Sequence, residues 1–127
     1  GFVDTDFPIF RVADAMLMLA ECAKRGGASD AEGLEAINAV RARAGIELLS
    51  SYTLQDVLDE RARELAFELV RRQDLVRFGQ FTTADYLWAW KGGVIEGKAV
   101  DSKYNLYPLT SGDANANGNL QQNEGYR

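Results

Sequence analysis

Apolar positions along this chain follow a helical spacing through its first two-thirds and lose all periodicity after residue 81. The longest periodic stretch is 54–81, L-Q-D-V-L-D-E-R-A-R-E-L-A-F-E-L-V-R-R-Q-D-L-V-R-F-G-Q-F, where no Pro or Gly intervenes before Gly79. Thr53 followed by Asp56 reads as a capping box, a short polar side chain satisfying the first free N–H groups of a helix. The spacing predicts one helix of about seven turns, long for a globular protein. At about 100° per residue, Leu54, Leu58, Ala62, Leu65, Leu69 and Val76 share one stripe. Phe67 and Phe78 fall on the far side with Asp56, Glu60, Arg63, Arg71 and Asp74, which predicts a central helix touched by a second element behind. Arg61, Glu64, Glu68 and Arg72 border the main stripe at spacings that let them pair along the helix. Partners are expected there, because a charge left buried alone costs several kcal/mol.

The rest is organised around that stretch. Pro8 biases Phe7 away from helix, so residues 1–9 read as extended. A helix over 10–25 carries Val12, Ala13, Ala15, Met16, Leu17, Met18, Leu19, Ala20, Cys22 and Ala23 around most of its circumference, which predicts burial on several sides. Met16 and Met18 then read as core filler and Cys22 as a small buried hydrophobe. Gly26-Gly27 ends this helix. Ser29 with Glu32 forms a second capping box opening a helix over 30–44, with Leu34, Ile37, Val40 and Ala44 inward and Gly45 at its end. Two such helices joined by a Gly turn match a tetratricopeptide-like hairpin, a unit that rarely stands alone because its outer face needs a neighbour. Residues 46–52 read as a loop. Beyond 81, Tyr86, Trp88 and Trp90 alternate onto one side if the backbone is extended. The Asn- and Gly-rich end offers Leu106, Tyr107, Leu109, Leu120 and Tyr126 as anchors. The expectation is an all-α fold: the hairpin, one long central helix over 54–81, and an irregular segment, 82–127, wrapped over the helices.

Composition narrows the function. At 127 residues the chain suffices for one domain, and its 46% hydrophobic content can supply a core. A net charge of −5 with a pI near 4.7 argues against nucleic acid as a partner. Histidine is absent, which removes Ser–His–Asp and Cys–His catalysis and imidazole-ligated zinc within this chain. One cysteine permits no internal disulfide, and no run reaches the roughly 20 apolar residues of a membrane span. Starting at Gly1 with no signal peptide, the chain reads as an internal or processed piece of a longer protein.

Three constellations bear on chemistry. Trp88 and Trp90 are the ligand candidates, because sugar C–H faces stack on indole rings, and Tyr86 adds a hydroxyl; the competing reading is that these rings anchor the irregular segment. Asp113, Asn115, Asn117, Gly118 and Glu124 satisfy the calcium-loop pattern D-x-[DN]-x-[DN]-G-x5-E. However, P-L-T-S-G is expected to break any helix entering that loop, and two carboxylates neutralise the ion poorly, so no metal is assigned. Glu64 and Glu68, one turn apart, resemble the paired carboxylates of a glycosidase. Arg61, Arg63, Arg71 and Arg72 surround them and favour structural ion pairing. No catalytic residue and no cofactor are expected.

Six phrases in order then resemble the C-terminal region of the SusD/RagB family of outer-membrane nutrient-binding lipoproteins. They are F-P-I-F-R-V-A-D-A-M-L-M-L-A-E-C (7–22), A-I-N-A-V-R-A-R-A-G (36–45), D-E-R-A-R-E-L-A-F-E-L-V-R-R-Q-D-L-V-R-F-G (59–79), Y-L-W-A-W-K-G-G (86–93), N-L-Y-P-L (105–109) and N-L-Q-Q-N-E-G-Y (119–126). The chain departs from the family at Arg72 and Gln73, where aromatic residues are frequent, and at Gly118 and Glu124, where Pro is. The resemblance implies an α-helical, non-catalytic, surface-exposed outer-membrane protein that captures oligosaccharides for import through a SusC-like TonB-dependent transporter. Membrane attachment would be through an N-terminal lipid anchor absent from this chain. The alternative, resting on the helical hairpin alone, is a tetratricopeptide-like module for a protein or peptide.

Overall fold

The computed structural model describes residues 6–126, so the expectation for residues 1–5 lies outside the described part. The described residues are helical and irregular, with no β-strand among them. The chain forms two compact units, residues up to Asp74 and residues from Leu75 onward.

The first unit is built on α1 (Val12–Lys24), α2 (Asp30–Arg43) and α3 (Leu54–Glu64). Both capping boxes form: Ser29 exchanges hydrogen bonds with Glu32 at the head of α2, and Thr53 with Asp56 at the head of α3. Ser29 holds the Glu32 carboxylate below its ordinary pKa by hydrogen-bonding the charged form. Leu17, Ala20, Ile37, Val40 and Val57 make a shared core, and burying each large aliphatic side chain contributes about 1.5–3 kcal/mol. Tyr52, from the stretch expected to be only a loop, is part of that core and donates from its hydroxyl to the Ala20 carbonyl at 2.9 Å. A Cβ on Gly33 would lie 1.8 Å from the Tyr52 hydroxyl and 2.6 Å from the Ala23 Cβ, so α1 and α2 cross closely only because that residue is glycine. Burial of α1 is one-sided: Ala13, Leu17, Ala20, Glu21 and Ala23 are inside, whereas Val12, Met18, Leu19 and Cys22 are exposed. The all-round burial expected of α1, and of Cys22 with it, is therefore corrected.

The main correction concerns 54–81. The helix stops at Glu64, Phe67 and Leu69 adopt left-handed φ of 66° and 62°, and a separate helix α4 runs over Arg71–Arg77. Nothing local demands this, since R-E-L-A-F-E-L-V-R-R contains no breaker. The reason is tertiary. Arg61 Nε donates to Asp74 Oδ2 at 2.8 Å, thirteen residues away, and a straight helix would carry that residue about 20 Å along its axis. Arg71 Nη1 likewise reaches back to the Leu58 carbonyl at 2.8 Å. Left-handed backbone costs about 1–2 kcal/mol per non-glycine residue. Breaking a buried ion pair costs about 3–5 kcal/mol, so the pairing prevails. The charges bordering the expected stripe accordingly pair across elements. Arg61 also meets Asp14 at 2.6 Å, Arg41 meets Glu60 at 2.7 Å, and Arg11 meets both Glu64 and Glu68 at 3.0 and 2.7 Å.

The second unit has little regular structure, as its aperiodic sequence implies: 3-10 turns over Lys91–Gly93 and Ser102–Asn105, and the short α5 (Ser111–Ala116). Amide side chains do the work of a backbone ladder. Gln122 accepts from Leu109 N–H and donates to its carbonyl, each at 2.8 Å, and Asn123 donates to the Tyr107 carbonyl at 2.7 Å. Tyr126 donates from its hydroxyl to the Leu106 carbonyl at 3.1 Å. No helix among the described residues is long and apolar enough to cross a membrane.

Two outcomes test this account of the break. Asp74→Ala should lower unfolding stability by about 3 kcal/mol in urea titrations, because Arg61 keeps only Asp14; a loss typical of a surface change would contradict it. Leu69→Gly should raise stability by up to about 1 kcal/mol by removing left-handed strain, and a drop in the urea midpoint would show that no such strain exists.

Candidate functional site

The aromatic run of the second unit begins where α4 ends. Gly79, at φ 73°, turns the chain, and Phe81, Tyr86 and Trp88 gather into a cluster. The Phe81 and Trp88 ring centroids lie 6.0 Å apart, nearly stacked, and those of Tyr86 and Trp88 lie 6.4 Å apart. Beneath them lies Lys91, a buried residue that sequence reasoning missed. Its ammonium donates to the carbonyls of Thr83 at 2.6 Å, Tyr86 at 2.7 Å and Gln80 at 3.3 Å, and sits 4.6 Å from the centre of the Trp88 ring. Burial pushes its pKa below the ordinary lysine value, with the charge of Asp85 opposing. One cation thus organises three carbonyls and an indole face. No sequence pattern marks such a lysine, because its partners are backbone oxygens.

Glycine closes the loop from the other side. A Cβ at Gly97 would meet the Trp88 carbonyl oxygen at 2.5 Å, and φ there is 76°. The adjacent Lys98 N–H then bonds the Lys91 carbonyl at 3.0 Å, and Val100 N–H bonds the carbonyl of the buried Thr82 at 2.9 Å. The strained member is Trp90, a non-glycine residue at φ 70° with 66% of its surface exposed. The three sequence candidates therefore separate: Tyr86 and Trp88 neighbour one another over the lysine, while Trp90 is turned to solvent.

The other two constellations resolve differently. Glu64 and Glu68 are both ion-paired to Arg11, and Glu64 also to Arg43 at 2.6 Å, so neither is set up as a proton donor over a vacant cleft. Asp113 lies inside α5 rather than after a broken stretch, correcting the expectation that P-L-T-S-G admits no helix. Thr110 caps α5 by accepting from Asp113 N–H and donating to its carboxylate at 2.7 Å, which accounts for the first acidic position of the calcium-like pattern without an ion. No group of three potential acidic, Cys or His metal ligands occurs among the described residues.

Comparison with known proteins places this geometry in context. The sequence model of the SusD family matches residues 1–126. The chain is 50% identical to the starch-binding protein SusD of Bacteroides thetaiotaomicron, over 99% of its own length and 22% of that protein's. Among solved structures, surface glycan-binding protein A from Bacteroides thetaiotaomicron in complex with laminarihexaose superposes with a TM-score of 0.73 at 27% identity, covering 92% of this chain and 24% of that one. A SusD superfamily protein from Parabacteroides distasonis gives a TM-score of 0.73 at 26% identity, over 94% of this chain and 27% of the other. The chain thus spans about a quarter of the length of the relatives it matches.

Replacing Lys91 with methionine leaves three carbonyls without their shared donor while roughly keeping the volume of the stem. Lys91→Met should red-shift tryptophan emission as Trp88 loosens, with the helical circular dichroism of the chain retained. Unchanged emission would show that the lysine does not hold the loop.

Proposed function

Since the chain belongs to the SusD family, we propose that it is part of a non-catalytic protein that captures oligosaccharides at the bacterial outer surface for import through a SusC-like TonB-dependent transporter. The observation that carries this reading is the 50% identity with a starch-binding protein over nearly the whole chain. The laminarihexaose complex of a related fold supports the same class of ligand. The carboxylates give no competing catalytic reading, because Glu64 and Glu68 are committed to arginines.

Within this chain the contact surface is assigned to Trp90, with Trp88 and Tyr86 as its support. Exposure of Trp90 on a loop fixed by Lys91 and Gly97 favours it, since a stacking ring binds best when it is held in place before the sugar arrives. Trp88 contributes chiefly by fixing that loop.

Isothermal titration of the chain with maltohexaose and laminarihexaose tests the assignment. Trp90→Ala should weaken binding by about tenfold without moving the melting temperature, whereas Trp88→Ala should lower both. Affinity unaffected by Trp90→Ala, or no heat from either sugar at millimolar concentration, would remove the site from this loop.

A further inference from the structure

We propose that Asn117–Gly118 is a self-modification site, at which the backbone nitrogen of Gly118 closes onto the Asn117 side chain and converts that asparagine into isoaspartate and aspartate. The site lies in the stretch with calcium-loop spacing and is independent of the glycan reading.

Asn117 is the C-cap of α5, at φ −132° and ψ 97°, so the helix ends there and the Gly118 peptide lies outside it. Asn117, Gly118 and Asn119 are all exposed, which gives hydroxide and water access to the reacting atoms. The Asn119 N–H donates to Asn117 Oδ1 at 3.1 Å, folding the carboxamide forward towards the Gly118 nitrogen. That N–H also points at the oxygen on which negative charge collects during attack, and stabilises it as a donor placed in advance does. The backbone itself does not require glycine at position 118. Its φ is not left-handed, and a Cβ on it would meet nothing within 4 Å. What glycine supplies is an unshielded nitrogen.

The step balances with water alone. Hydroxide removes the Gly118 N–H proton, and the nitrogen attacks Asn117 Cγ. The N–Cγ bond forms and the Cγ–Nδ2 bond breaks. Nδ2 takes a proton from water and leaves as ammonia, and a cyclic imide remains. Water adding at Cγ then gives aspartate, and water adding at the former main-chain carbonyl gives isoaspartate. Either product carries one negative charge that asparagine lacks. Position 117 falls inside the loop that the Gln122–Leu109 pair closes, so isoaspartate lengthens the segment those bonds hold.

The chain's five other asparagines lack this combination. Asn38 is bonded in both directions to the Leu49 backbone, and Asn115 lies within α5. Asn105 donates to Thr82 Oγ1 and Asn123 to the Tyr107 carbonyl. Asn119 is followed by Leu120, whose side chain shields the next nitrogen.

The test incubates the 127-residue chain in mildly alkaline buffer and follows each asparagine by peptide mass, with isoaspartate identified by enzymatic methylation. Asn117 should convert first, to isoaspartate and aspartate together. Gly118→Ala, which fits without strain, should keep the melting temperature and slow the conversion by about tenfold. Aspartate as the sole product, another asparagine converting ahead of Asn117, or an unchanged rate in Gly118→Ala overturns the proposal. The same incubation in urea decides whether the fold permits the reaction. A native rate equal to or above the unfolded one supports the site, and a native rate more than about tenfold lower overturns it by showing that the fold shields Asn117. None of these readouts involves a sugar, so they stand apart from the Trp90 assignment.

Discussion

The first unit is organised by a single buried guanidinium. Arg61 lies between Asp14 of α1 and Asp74 of α4, at 2.6 and 2.8 Å, with its side chain 4% exposed. Burial alone disfavours the charged arginine, but the hydrogen bonds it donates to Asp74 and Asp14 outweigh that cost, and its pKa is raised. A charge held this way cannot be left unpaired cheaply, so the chain around it must bend until both carboxylates arrive. The helix break, the two left-handed residues and the outward display of Phe67 and Leu69 are consequences of that requirement.

The second unit meets a similar problem with backbone oxygens as the hydrogen-bond acceptors in place of carboxylates. Lys91 is satisfied by three carbonyl oxygens and an indole face, and the tail by the amides of Gln122 and Asn123. In each unit, specific polar tethers supply geometry that a small apolar core leaves open. The same tethers separate the aromatic side chains: Trp88 lies against Phe81 and the Lys91 ammonium with 38% of its surface exposed, and Trp90 is 66% exposed.

What the sequence made legible follows from the range of each interaction. Capping boxes at Ser29–Glu32 and Thr53–Asp56, the glycine stops and the inward positions Leu17, Ile37, Val40 and Leu58 rest on contacts within a turn or two, and they are found as expected. The break after Glu64 was hidden because residues 65–70 have ordinary helix-forming side chains; its cause lies in Arg61 and Asp74, whose partnership no periodicity reveals. Tyr52 and Gly33 were missed for the same reason, each being defined by a close approach across two elements. Of the candidate site, the three aromatic residues were visible as a pattern. Lys91 and Gly97, which fix them, were not, because backbone oxygens leave no trace in the residue string.

Family membership gives the molecule its class, and the polar tethers give this segment its shape. The dependence of that shape on Arg61 is measured most directly by a double-mutant cycle of Arg61→Met and Asp74→Leu in urea denaturation. The account predicts a coupling of about 2–3 kcal/mol, with the double variant recovering much of the stability lost by either single one. Additivity within about 0.5 kcal/mol would contradict it, showing that the two residues do not act as a pair.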